Sequence, residues 1–174
     1  MPTHQPSTGD VKHAILTEAQ RIEEDTLYSS RTQFESGRIW NAWSLVIGIP
    51  TTVLAAAAGA SAIAEYPALA AFLAISAAIG SALATFLNPS RRASQHHQAG
   101  TSFNALRNDT RIFRTIDGQS TDDAISLRTG LKQLNERRNA LNSDAPSPPR
   151  RAYKRAQKHL EAGEATHAVD GSPS

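Results

Sequence analysis

From Ile39 to Ser90 the chain runs for 52 residues with a single charge, Glu65. Nothing else in the sequence limits the fold as much. A bilayer's hydrocarbon core is about 30 Å thick and a helix rises about 1.5 Å per residue, so about 20 apolar residues cross it once. Ile39–Ala64 and Tyr66–Ser90 supply 26 and 25 uncharged residues, enough for one crossing each. Between them Glu65 and Pro67 place a charge beside a proline, which predicts a turn. The fold expected is all-α: a two-helix transmembrane hairpin, with cytoplasmic helices before and after it forming a small helical bundle. The apolar run starts too late and is too long for a signal peptide. Sixteen of its residues are alanine, which transfers to lipid almost neutrally. An alanine-rich hairpin buried in a soluble bundle is therefore the competing arrangement, and two adjacent segments of matching length favour the membrane.

The charge distribution sets the expected boundaries. Residues 1–9 and 164–174 read as disordered tails, 10–38 as a cytoplasmic N-terminal helix, 39–64 and 68–90 as the two passes, 65–67 as an extracytoplasmic turn, and 91–163 as a cytoplasmic helical region. Arg31 and Arg38 precede the first pass and Arg91 and Arg92 follow the second, while the connecting loop has no Lys or Arg. The positive-inside rule then puts both termini in the cytoplasm. Trp40 and Trp43 fall at the inner boundary, where indole rings prefer to lie.

A projection at 100° per residue separates two faces on the first pass. Asn41, Ser44, Gly48, Thr51, Thr52, Ala55, Gly59 and Ala62 form a small, polar side, and Ile39, Val46, Ile49, Val53 and Leu54 a bulky one. On the second pass, bulky residues from Leu69 to Leu87 lie opposite Ala70, Ala74, Ala77, Ala78, Ser81 and Thr85. In lipid, small faces allow close helix contact. The small side of the first pass either packs the two helices together or, in an assembly of identical hairpins, lines a pore. Two helices are too thin to enclose a channel, so a pore requires a homo-oligomer. Pro50 should kink or loosen the first helix and leave the Val46 carbonyl without its donor, with nearby threonines in reach to compensate.

Outside the window, Val11 to about Gly37 reads as a helix with Asp10 as N-cap, and its few apolar residues suggest a surface or partner-facing role. Residues 91–115 continue helically with Phe103, Leu106 and Phe113 on one stripe. Asp117-Gly118 marks a turn, and Ser120-x-x-Asp123 has the form of an N-cap box. In the next helix Ala124, Leu127, Leu131, Leu134 and Leu141 share one face, with Arg138 the exception, a pattern suited to an antiparallel bundle. A proline-rich linker, Ser143–Pro149, leads into a last helix from Arg150 to about Ala162 that ends at Gly163. Tyr153, Ala156 and Leu160 form its apolar stripe. Arg150, Arg151, Lys154, Arg155 and Lys158 form a basic outer face, either solvated or in contact with anionic membrane lipids.

The chain has no cysteine, phosphate-binding glycine loop or nucleophile elbow, so thiolate metal sites and the common catalytic motifs are excluded. Adjacent His96 and His97 point about 100° apart on a helix and cannot chelate one metal together. No cofactor, metal or catalytic residue is expected. Residues 91–174 carry a net charge of +5, but few aromatics interleave with the basic residues, which argues against nucleic acid as a partner.

Three stretches resemble the SLATT family, the two-transmembrane effector domains associated with bacterial nucleotide second-messenger conflict systems. The first is Trp43-Ser-Leu-Val-Ile-Gly-Ile-Pro50 and the small-residue hairpin after it. The second is Phe86-Leu-Asn-Pro89 followed by Arg92-Ala-Ser-Gln-His96, Ala99-Gly100, Phe103, Leu106 and Arg111-Ile-Phe113. The third is Leu134-Asn-Glu-Arg137, then Ser147-Pro148 and Tyr153-Lys-Arg-Ala156. The resemblance implies an antiviral effector that oligomerises and perforates the bacterial inner membrane when triggered through its cytoplasmic helices. It implies no catalytic residues. No sensor, nucleotide-generating or nuclease domain is fused within these residues, so the trigger is expected from an activating sensor protein or a nucleotide signal. A passive two-pass scaffold that recruits cytosolic partners is the alternative.

Overall fold

A computed structural model describes residues 8–121 and 123–161. Among the described residues six α-helices follow one another: α1 (Thr8–Ile63), α2 (Pro67–Leu87), α3 (Pro89–Ile112), α4 (Gly118–Ser120), α5 (Ala124–Asp144) and α6 (Arg150–Glu161). A π-helical segment, Phe113–Asp117, joins α3 to α4, and no strand occurs among the described residues. The all-α expectation holds. Of the expected N-terminal tail, residues 1–7 lie outside the described residues, while Thr8 and Gly9 already belong to α1, so Asp10 sits in its first turn instead of capping it. The expected tail 164–174, the helix end at Gly163 and the Leu160 side chain also lie outside the described residues.

The chain forms two compact units. One combines the described residues up to Glu35 with those from His96 onward, and the other is Ser36–Gln95.

The Ser36–Gln95 unit contains the apolar window. α1 runs through Pro50 without a break. The hydroxyls of Thr51 and Thr52 donate to the carbonyls of Ile47 (2.7 Å) and Gly48 (2.9 Å), so they do not serve the Val46 carbonyl as expected. At the end of α1 the Tyr66 amide donates to the Ser61 carbonyl and the Glu65 amide to that of Ala62. This paired closure is a Schellman motif, with Glu65 in the left-handed region at φ 62°. Pro67, which has no N–H to leave unpaired, opens α2. The second helix is shorter than the expected pass 68–90. It ends at Leu87, because Asn88 turns left-handed (φ 42°, ψ 55°) and Pro89 starts α3. The 21 residues of α2 rise about 31 Å, one hydrocarbon thickness.

The other unit is built on stripes of 3-4 spacing. Ile15, Ala19, Leu106, Phe113, Leu127 and Leu134 form its apolar core, with Val11, Leu131 and Leu141 packed at the margin. The first helix, expected in a surface or partner-facing role, turns one face into this core. Its buried stripe is Ile15, Ala19, Ile22, Thr26 and Ser30, apolar for three positions and hydroxylic for two. Thr26 Oγ1 donates to the Ile22 carbonyl at 2.7 Å and Ser30 Oγ to that of Leu27 at 2.9 Å, so burial leaves neither hydroxyl unsatisfied.

Two expected chain breaks also move. No turn forms at Asp117-Gly118, where helical backbone continues to Ser120. Gly118 is buried under Leu16, and a Cβ there would collide with the Leu16 side chain. The break comes at Thr121, which is extended, and Asp123 caps α5 where Ser120 was expected to take part in the cap. Its carboxylate accepts from the Ile125 amide (3.0 Å), the Ser126 amide (3.3 Å) and the Ser126 hydroxyl (2.5 Å).

Candidate functional site

The apolar helices leave their bulky residues uncovered. Only 6% of the most apolar stretch of the first and 0% of that of the second is buried. Leu45, Val46, Ile49 and Val53 on α1 and Leu69, Phe72, Ile75, Ile79 and Leu83 on α2 are all exposed, with Phe72 at 68% and Phe86 at 85%. Isolated exposed apolar residues are ordinary, but a contiguous surface of this kind needs a covering phase. The two helices are long and apolar enough to cross a membrane.

What is covered in this unit follows another 3-4 pattern. Ser44, Ile47, Thr51, Leu54, Ala58 and Ser61 on α1 are partly or fully buried, as are Ala70, Leu73, Ala77, Gly80 and Ala84 on α2. Two contacts fix the register. The Ser44 and Ser90 hydroxyls are 2.8 Å apart. A Cβ built at Gly80 would fall on Thr51 Oγ1 and within 3.3 Å of Thr51 Cβ. The tight approach is thus at Gly80, a residue that sequence reasoning passed over. Of the eight residues expected on the small face, Ser44, Gly48 and Thr51 are partly covered, and Asn41, Thr52, Ala55, Gly59 and Ala62 are exposed. A Cβ added at Gly48 or Gly59 would meet nothing within 4 Å.

At the Leu87 end of α2, Arg92 closes the structure. Its Nε donates to the Leu87 carbonyl at 3.0 Å, filling one of the acceptors that a helix C-terminus leaves open. The same guanidinium lies 4.9 Å from the centroid of the Trp40 ring, within cation–π range. Trp43, one turn further along α1, is 52% exposed.

The other unit holds a polar cleft of about 760 Å³. Glu24, Asp25, Tyr28 and Ser29 of α1, Arg138 and Asn142 of α5, and Tyr153 and Gln157 of α6 line it. An adjoining hollow of about 290 Å³ extends it past Phe103 to the linker at Ala145–Pro148. Arg138 Nη1 bonds Asp25 at 3.1 Å, and the rings of Tyr28 and Tyr153 are 5.2 Å apart. The sequence carried one pointer to this cleft: Arg138, the single charge on the leucine face of α5. α6 is held by Ala152 and Ala156, both fully buried, while Tyr153 is 52% exposed. Arg150, Arg151, Lys154, Arg155 and Lys158 are all exposed.

The two histidines have separate surroundings. His96 is buried, with Nδ1 2.6 Å from Gln33 Oε1, which makes Nδ1 the donor. Gln33 Nε2 in turn donates to the Pro146 carbonyl at 2.9 Å. His97 is exposed, its ring 6.0 Å from that of Phe34.

Comparison with protein families, curated proteins and solved structures finds no match to this chain.

Proposed function

We propose that the chain is a two-pass integral membrane protein that self-assembles and opens a path through the bilayer when a signal reaches its cytoplasmic helices. The supporting observation is the uncovered bulky surface of α1 and α2. In water that surface would drive aggregation, and in lipid it needs no further cover. On this reading both termini are cytoplasmic, Glu65 lies outside, and the compartment is a bacterial inner membrane. The arrangement is a transmembrane hairpin with a cytoplasmic bundle, as in the SLATT effectors that the sequence resembles. Asn41, Thr52, Ala55, Gly59 and Ala62 offer small, partly polar side chains to neighbouring copies, and in an open assembly they face the pore. The basic face of α6 meets anionic head groups. The cleft beside Arg138 is the place for an activating protein or nucleotide signal.

That cleft also supports a second reading, a passive membrane scaffold that recruits a cytosolic partner. Release of a trapped dye from vesicles carrying the purified chain decides between them. An effector releases dye as the protein-to-lipid ratio rises or an activator is added, and a scaffold releases none in either condition. Extraction of membranes at high pH tests the common premise, since a protein without spanning helices is washed into the supernatant.

A further inference from the structure

Within Ser36–Gln95 the only acid is Glu65, separated from Arg91 and Arg92 by the whole length of α2. That distance, about 31 Å, is far beyond ion-pair reach, so Glu65 pairs with neither arginine. Arg91 has no hydrogen bond or ion pair among the described residues. Arg92 uses only Nε, and its Nη groups meet no acceptor among the described residues. The stack on Trp40 and the bond to the Leu87 carbonyl nevertheless hold the guanidinium plane from two sides. Four N–H donors are therefore oriented before anything binds. In the same unit the Ser44 and Ser90 hydroxyls, the latter two residues before Arg92, share one hydrogen bond, which leaves one O–H free to donate. Trp43, Phe86 and Leu87, close to these residues along the chain, are exposed apolar side chains.

We infer that the Trp40–Arg92 corner binds the phosphate of an anionic phospholipid head group. A planar guanidinium fork matches two phosphate oxygens. An indole with one apolar and one polar edge suits the boundary between head groups and acyl chains. The adjacent apolar rim takes the first carbons of the chains, which an inorganic anion lacks. The site is separate from the basic face of α6. It rests on the two-pass reading and specifies which lipid that reading involves.

Trp40 and Trp43 are the only tryptophans in the chain, so its indole emission reports this corner alone. The full chain is reconstituted in phosphatidylcholine vesicles containing a trace of either phosphatidylglycerol or phosphatidylcholine spin-labelled near the glycerol. The expected result is quenching by the phosphatidylglycerol probe at about fivefold lower probe content, the factor that one arginine contributes at a lipid surface. Arg92→Gln should erase the preference and Arg92→Lys should keep part of it. A Lys154→Gln/Arg155→Gln variant should quench like the parent. Equal quenching by both probes, or a preference that survives Arg92→Gln, overturns the inference. So does loss of the preference on adding soluble glycerol phosphate, which would assign the corner to a free anion. If alkaline washing strips the chain from the vesicles, the two-pass reading fails first. If the chain is retained but shows no preference, only the lipid site fails.

Discussion

Glu65 and Asn88 are the non-glycine residues at positive φ among the described residues, and each ends an apolar helix. Asparagine tolerates that conformation through its short carboxamide, whereas glutamate has no such help. Glu65 is held left-handed by the Schellman pair that closes α1. Glu65→Gly should therefore stabilise the chain by about 1 kcal/mol, and Glu65→Ala, which keeps a Cβ, should not. Thermal unfolding of both variants in detergent, followed by helical circular dichroism, checks the order. Asp123 provides a pH-dependent counterpart. The hydrogen bond from the Ser126 hydroxyl and the bond from the Ile125 amide hold its carboxyl below the ordinary carboxylate range. A depressed pKa means that the cap's contribution is present above about pH 3.9, the value of the unfolded chain, and fades as pH falls through the lower folded value. Asp123→Ala should lower the melting temperature at pH 7 and Asp123→Asn should lower it less, and under strongly acidic conditions the parent should fall toward the Asp123→Asn level, with Asp123→Ala still the lowest.

At the scale of the helix, Gly80 is the position with no room to grow. Rotating Thr51 away from an added Cβ would break its bond to the Ile47 carbonyl, so the clash is not relieved cheaply. Gly80→Leu should destabilise the Ser36–Gln95 unit by about 1–3 kcal/mol, as overpacking does. Thr51→Gly in the same chain should restore part of that loss, and unfolding of the four proteins of the double-mutant cycle measures the coupling. Gly48→Leu and Gly59→Leu should leave the melting temperature of the single chain unchanged. The sequence made the apolar helices legible because charge excludes a segment from lipid whatever its neighbours are. The leucine face of α5 was legible because its period is helical and its residues are apolar at every position but Arg138. The face that α1 turns toward its core was hidden, since Thr26 and Ser30 satisfy themselves on their own helix and can be buried without apolar side chains. Gly118 misled for a related reason. It marks a close approach of Leu16, not a reversal of the backbone, and a single sequence does not separate those two uses of glycine. The cleft was legible only as an anomaly at Arg138, because its walls come from α1, α5 and α6 and no one of these carries the pattern.

For the whole molecule, the question is whether the exposed small side chains of α1 act between copies. Asn41, Thr52, Ala55, Gly59 and Ala62 contribute little to the packing of one chain, so substitutions there separate assembly from folding. If copies pack through this face, Gly59→Leu should insert into vesicles and melt like the parent yet fail to form cross-linked oligomers or release trapped dye. A variant that inserts, cross-links and leaks like the parent would remove the face from the mechanism. The proposed switch would have an energetic requirement as well. Moving an assembly from 99% closed to 99% open takes about 5.5 kcal/mol of differential binding, which copies acting together can divide among several weakly held signals. Dye release should therefore rise more steeply than linearly with the protein-to-lipid ratio. A linear rise would mean that single chains perturb the bilayer independently, which two helices joined at Glu65 are too few to do by enclosing a pore.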